Sequence, residues 1–213
     1  MKILVAICAF NRPKSLRRLL ACLSNAIGIE RANVLISLDF CGNDDCFKVA
    51  EDFRCEHPNA DIICHETRIG LRGNIIFSAS FVRDFDAVII LEEDVWCHPQ
   101  ILRFAEKALS IIDDKNIDQI ALYSPGICQS SGLPFTPIKN GFSFYHSMVP
   151  CSSGQIWRRE NWFAFQRWLN HNNWPELAKK YVNQIPDNVL SWSEHSWKKL
   201  YFVYLLQNKK FVA

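Results

Sequence analysis

Three consecutive acids, Glu92, Glu93 and Asp94, directly follow the apolar run at residues 87–91. Negative charge crowded at the end of a buried strand costs energy unless a cation or solvent offsets it, and a divalent metal is the natural partner. In an extended segment Glu92 and Asp94 project to one face and Glu93 to the other, so at most two of them aim into one pocket. Hard Mg2+ or Mn2+ suits such oxygen ligands and keeps waters while bridging substrate phosphates. The alternative is a solvated acidic turn ahead of a helix at Pro99, where acids favour the positive helix end.

Other polar residues fall at corresponding places. Asn11 and Arg12 follow the apolar run at residues 3–10, Asp39 closes the run at 34–40, and residues 66–74 follow the run at 61–64. The first of these loops lacks G-x-G-x-x-G, which excludes the dinucleotide fingerprint of nicotinamide and flavin enzymes. Asn11 either caps the helix that follows or contacts a ligand, and Arg12 either meets a base or phosphate or faces solvent. His98 and His195 have no second histidine at ligand spacing and read as ordinary imidazoles. Cys41, Cys46, Cys55 and Cys64 contain no C-x-x-C pair, which argues against a zinc site.

The elements that must position these residues alternate. The run at 3–10 is followed by Leu16, Leu19, Leu20, Leu23 and Ile27 at helical spacing, with Pro13 suited to the first turn. Strand then helix recurs with 34–40 before 47–53, with 61–64 before 74–82, and with 87–91 before a helix opened by Pro99 that carries Ile101, Leu102, Ala105, Leu109 and Ile112. Apolar strands alternating with helices predict a parallel sheet covered on both faces, with ligands outside the carboxyl ends of its strands. Beyond residue 124 the texture changes. Ser, Gly and Pro punctuate 124–141, a short strand pair is expected next, and four tryptophans fall between 157 and 174. The last residues read as a strand just beginning, so further chain is expected beyond them.

Composition sets the limits. With 213 residues, 49% hydrophobic and 22% charged, the chain can bury a substantial core. A net charge of +2 with interspersed signs provides no basic stripe for nucleic acid. Nine scattered cysteines in a chain that needs no staples read as a reducing, cytoplasmic setting. Residues 3–10 lead into Asn11-Arg12-Pro13 without a small-residue cleavage site, and no apolar run approaches a membrane span, so membrane contact is expected to be peripheral at most.

Two stretches carry a family resemblance. ILVAICAFNRPKSLRRLLACL resembles the opening of glycosyltransferases of the GT-A fold, and VIILEEDVWCHPQILRFAEKAL resembles their Asp-x-Asp motif with its following helix. The likeness is greatest to the branch of N-acetylglucosaminyltransferases that build on mannose and to bacterial relatives in surface-polysaccharide synthesis. It implies that Ala9, Asn11 and Arg12 line the base pocket, that Asp39 ends its strand near the uridine, and that Asp94 binds the metal. Glu92 and Glu93 would then serve sugar or ribose hydroxyls and support the metal ligand. The segment from His65 to Asn74 resembles the family's Thr-His-x-Gly-Leu-x-Gly-Asn, which makes Arg68, Arg72 and Asn74 candidates for nucleotide or phosphate contacts. SSGQIWRRENW resembles a Gly-x-Gly-Trp segment shaping the sugar pocket, with Gly154 and Trp157 retained and the first glycine replaced. Trp157, Trp162 and Trp168 either stack on sugar rings or belong to the core. An inverting transferase needs a carboxylate to take the acceptor hydroxyl's proton. The segment SWSEHSWKKLYFVYLLQNKKFVA resembles the family's base-bearing stretch and implies Glu194 for that role, with Asp187 in reserve.

The expectation is therefore an α/β, Rossmann-like GT-A domain with a mostly parallel sheet and helices on both faces. Residues 1–124 form the nucleotide-sugar-binding half and 125–213 the acceptor-side half of the same domain. The expected activity is metal-dependent transfer of a sugar from a UDP-linked or other nucleoside diphosphate donor, with inversion, to a glycan or lipid-linked acceptor, using Mn2+ or Mg2+. A sugar nucleotidyltransferase is the first rival, although its glycine-rich loop with a nearby lysine is missing. A non-catalytic sugar-binding module on the same fold is the second.

Overall fold

The computed structural model describes residues 1–128 and 131–213. The chain runs β1 (Ile3–Ala9), α1 (Pro13–Ser24), β2 (Asn33–Leu38), α2 (Asp45–Glu56), β3 (Ala60–Cys64), α3 (Gly70–Ser80), β4 (Ala87–Glu92), α4 (Ile101–Ile111) and β5 (Ile117–Ala121). After a long irregular stretch come β6 (Gln155–Arg158), α5 (Arg159–Leu169), α6 (Trp174–Tyr181), the single turn α7 (Asp187–Leu190), α8 (Trp197–Asn208) and β7 (Phe211–Val212). The strands form one sheet in the order β3-β2-β1-β4-β6-β5-β7. β1 pairs in parallel with β2 and β4, β2 with β3, and β5 with β7, while β6 runs antiparallel to both β4 and β5.

Side-chain alternation explains why the strands read as unbroken apolar runs. Val5, Ile7 and Ala9 of β1 pack with buried residues of α1, α2 and α4, whereas Leu4, Ala6 and Cys8 pack with those of α3, α5 and α8. Both faces are covered, so neither set can be polar. In α1 the periodic residues Leu16, Leu19, Leu20 and Leu23 are all buried, and Pro13 occupies the first turn. Arg12, rather than Asn11, is the residue at the helix cap, and no side chain caps this end.

The second half of the sequence is built into the same sheet, because β6 lies between β4 and β5. Directly after 141 the expected strand pair is reduced, among the described residues, to a single bridge of Ser147 to Val212, and another bridge, Ile127 to Pro134, lies within 124–141. Gly154 enters β6 with φ +97°, and a Cβ there would stand 3.2 Å from the Leu122 Cβ, so glycine is required both by conformation and by space. The terminal residues Phe211–Val212 do form a strand, against β5. Among the described residues no helix is long and apolar enough to cross a membrane.

A cluster of aromatic rings fixes α5 and α8 to β6. Trp157 packs against Trp162, Trp197 and Tyr201 with ring centroids 5.0 to 5.5 Å apart. Its Nε1 donates to the Tyr201 hydroxyl at 2.8 Å, and that hydroxyl donates to Asp118 of β5 at 2.6 Å. The Tyr204 hydroxyl reaches the other oxygen of Asp118 at 3.4 Å. Burial pushes the Asp118 carboxyl up to about 6, with the tyrosine hydrogen bonds opposing the shift.

Candidate active site

β1 stands between β2 and β4, and the chain leaves β2 and β4 in opposite directions across the sheet, which opens a crevice at the carboxyl ends. The register sets Cys8 beside Glu92 and Ala9 beside Leu38, so the loops after β1, β2 and β4 emerge level with one another. β4 ends at Glu92, and the turn that follows sets Glu93 and Asp94 together on Arg12, instead of Glu92 and Asp94 on one face as strand alternation predicts. Glu93 is buried, 3% exposed, on the α1 side, while Asp94 lies in the turn beyond with its side chain 45% exposed. Arg12 joins them: its Nε donates to Glu93 at 2.8 Å and one of its terminal nitrogens to Asp94 at 2.6 Å. Arg18, one helical turn and a half along α1, reaches the Asp94 carbonyl at 3.4 Å. The first loop is thereby tied to the acidic turn by charge-assisted bonds.

Glu92 faces the opposite side, toward α8. Burial, reinforced by the charges of Asp94 and Glu93 and partly offset by Arg12 and Lys198, pushes its carboxyl up to about 7. Lys198 of α8 is driven down by its own burial, with Cys151 and Glu92 acting in the opposite sense. The same strand face carries Gln155, which is wholly buried and has no hydrogen-bond partner for either polar atom of its side chain. A buried amide left in this state belongs beside a polar ligand or an ordered water.

The loop ahead of α3 is organised by Asp39. Its carboxylate accepts the backbone N–H of Phe40 at 2.9 Å, of Ile69 at 2.8 Å and of Gly70 at 2.9 Å, which holds the first turn of α3 against the end of β2. Asn74 is buried and donates to the carbonyls of Ala9 and Ser37 at 3.2 and 3.1 Å, while accepting from Ser78. Asp39 and Asn74 therefore shape the site from beneath, and their polar atoms are occupied by the fold. Arg68 does lie at the crevice, its guanidinium 4.5 Å over the Phe10 ring next to Asn11. Arg72 crosses to the far side and donates to the backbone carbonyls of His195, at 3.0 Å, and of Glu194.

That bridge brings the exposed Glu194 to the rim of the crevice. The turn bearing it is held a second time from α8, where the buried Lys199 donates to the carbonyls of Leu190 and Trp192, each at 2.6 Å, and stands 4.0 Å over the Trp174 ring. Asp187 is the exposed first residue of α7. Trp157 takes a different place from the one the resemblance implies: it is 0% exposed, so it offers no face to a sugar. Trp162 is buried in the same cluster. The sequence reading passed over Gln155, Lys198 and Lys199; the first lies inside the quoted Gly-Gln-Ile-Trp segment, and the lysines are the only cations in an otherwise aromatic stretch of α8. Among the described residues, no three His, Cys, Asp or Glu side chains gather into a metal cluster.

No protein-family profile and no curated protein matches the sequence. Solved structures do match. The mannosyltransferase PcManGT from Pyrobaculum calidifontis, in complex with GDP-Man and Mn2+, is similar with a TM-score of 0.56 at 11% identity, over 79% of this chain and 46% of that one. The fold is a glycosyltransferase fold. The TarS 1–349 structure from S. aureus in complex with UDP-GlcNAc is similar over all of this chain and 56% of its own, with a TM-score of 0.57 at 17% identity. This chain thus spans about half the length of the transferase structures it matches.

Proposed function

We propose that the chain is the catalytic domain of a glycosyltransferase that takes a nucleoside diphosphate sugar, UDP-linked, and passes the sugar to a glycan or lipid-linked acceptor with inversion. The observation that carries this reading is the arrangement at the sheet's switch point, where Arg12 is bonded to both Glu93 and Asp94 while Arg72 holds the turn bearing Glu194 on the opposite rim. The fold likeness to PcManGT in complex with GDP-Man and Mn2+ and to TarS in complex with UDP-GlcNAc adds support.

In this reading Asn11, Arg12 and Arg68 receive the nucleotide over the loop after β1, and Asp39 and Asn74 keep that loop and α3 in register. Asp94 fits a divalent cation: it is a single hard oxygen donor, open to solvent, suited to Mg2+ or Mn2+ that draws its remaining ligands from phosphates and water. Such a cation supplies charge neutralisation for the departing diphosphate. Glu92, held partly protonated near neutrality, and Gln155 face the side on which a sugar would lie and present hydrogen-bonding groups to its hydroxyls. Glu194 accepts the acceptor hydroxyl's proton as the oxygen attacks the anomeric carbon, with Asp187 the reserve for that role. Localisation at the inner face of a membrane accords with a lipid-linked acceptor.

A nucleotide panel tests the reading. UDP or a UDP-sugar with Mn2+ is expected to raise the melting temperature, because binding to the native state stabilises it by mass action. Stabilisation by nucleoside triphosphates in preference to UDP would instead favour a nucleotidyltransferase.

A further inference from the structure

A second cavity, of about 470 Å3, opens beside the crevice between the irregular 121–151 stretch and α8, with Tyr123, Ile127, Phe135, Val149, Phe202 and Leu206 among its walls. Its volume lies in the range of small-molecule sites, whose walls are mostly apolar. Three of its polar side chains are engaged within the fold. The Tyr145 hydroxyl pairs with Ser124 at 3.0 Å, Ser147 with the Val149 backbone, and the Cys151 thiol points to the Gly154 carbonyl at 3.3 Å. Hydrocarbon and aromatic surface dominates what a ligand would meet. The sequence of this arm follows suit: across residues 121–154 Lys139 is the sole Asp, Glu, Lys or Arg. Ile127, Leu133, Ile138 and Phe142 stand exposed along it.

α8 and Cys151 link the cavity to the proposed catalytic crevice. Lys198, Phe202 and Leu206 recur every four residues on one face of α8. The stripe begins where Lys198 interacts with Glu92 and Cys151, and the next two turns form the cavity wall, about 12 Å along the helix. Cys151 lines the cavity as well.

We infer that this cavity receives the hydrocarbon tail of a lipid-linked acceptor, alkyl or isoprenoid, whose sugar-accepting head lies at the Glu92 and Glu194 rim. A saccharide is a poorer occupant, since its hydroxyls would lose water against walls that are mostly apolar. The inference rests on the transferase reading for the identity of the acceptor, but the tail site itself can be tested without a nucleotide.

The probes are methyl, hexyl and octyl β-glucosides below their micellar concentrations, titrated calorimetrically into the whole chain. Affinity is expected to rise roughly threefold to fourfold per methylene buried. Two variants locate the effect. Ile127→Glu places a charge at a half-exposed wall position where folding is not at stake, and Val149→Trp fills the cavity. Each is expected to weaken octyl glucoside about tenfold or more while leaving UDP binding unchanged. Equal binding of methyl and octyl glucoside, or octyl binding indifferent to Ile127→Glu, would overturn the inference. Chain-length dependence without UDP binding would retain the tail site and remove the transferase reading; UDP binding without chain-length dependence would do the reverse.

Discussion

Asp118 offers a test of how the aromatic core is assembled. Its carboxylate is buried between β5 and α8, accepts from Tyr201 and Tyr204, and is pushed up from 3.8 to about 6. Between those values the native protein retains a proton that the unfolded chain has released. Stability from this group is thus fully present below pH 3.8 and is lost as pH rises through about 6. At about 1.4 kcal/mol for each tenfold difference in proton affinity, the loss amounts to about 3 kcal/mol. Glu92, pushed up to about 7, acts in the same direction, so the pH dependence of the whole protein does not isolate Asp118. The variant Asp118→Asn does, because it keeps an acceptor for the tyrosines and cannot ionise. Urea unfolding of both proteins from pH 4 to pH 8 gives their stability difference, which is expected to move in favour of Asp118→Asn by about 2.5 kcal/mol across that range. A difference that stays constant with pH would refute the assignment of a carboxyl whose proton affinity burial raises at this position.

Other substitutions probe the loops around the crevice. Asn74→Ala removes the donor from two buried carbonyls and is expected to cost about 2 kcal/mol by urea unfolding. Gly154→Ala forces a side chain into φ +97° and against Leu122, with an expected loss of about 1 to 2 kcal/mol visible as a lower melting temperature. Arg72→Ala frees the turn bearing Glu194, and the transfer rate is expected to fall about tenfold or more while UDP affinity stays near its starting value. Equal losses in both would place Arg72 on the nucleotide rather than on the turn.

The parallel sheet was readable because its strands are buried on both faces, which leaves uninterrupted apolar runs such as residues 3–10 and 87–91. The acidic turn was readable for the same reason, since three charges after such a run mark where the strand reaches solvent. The chemistry of individual residues was less accessible. Asp39 and Asn74 have the polarity of ligand contacts, yet apart from the adjacent Phe40 amide the groups they engage, the amides of Ile69 and Gly70 and the carbonyls of Ala9 and Ser37, come from segments distant in sequence. Trp157 illustrates the opposite case, an aromatic residue in a sugar-site motif whose indole N–H is bonded to Tyr201, 44 residues away, inside the core. Nor does the spacing of the sequence indicate that β6 inserts between β4 and β5, because a strand of four residues after a long irregular stretch carries no register information of its own.

The central proposal is that Asp94 holds a divalent cation against the diphosphate of a nucleotide sugar. Calorimetric titration of UDP in the presence of Mn2+ into the native chain and into Asp94→Ala measures this directly. Saturable, Mn2+-dependent binding to the native chain is expected, and its loss in Asp94→Ala, whose fold remains intact because the residue is exposed. Binding that is unchanged in Asp94→Ala, or that ignores the removal of Mn2+, would contradict the proposal.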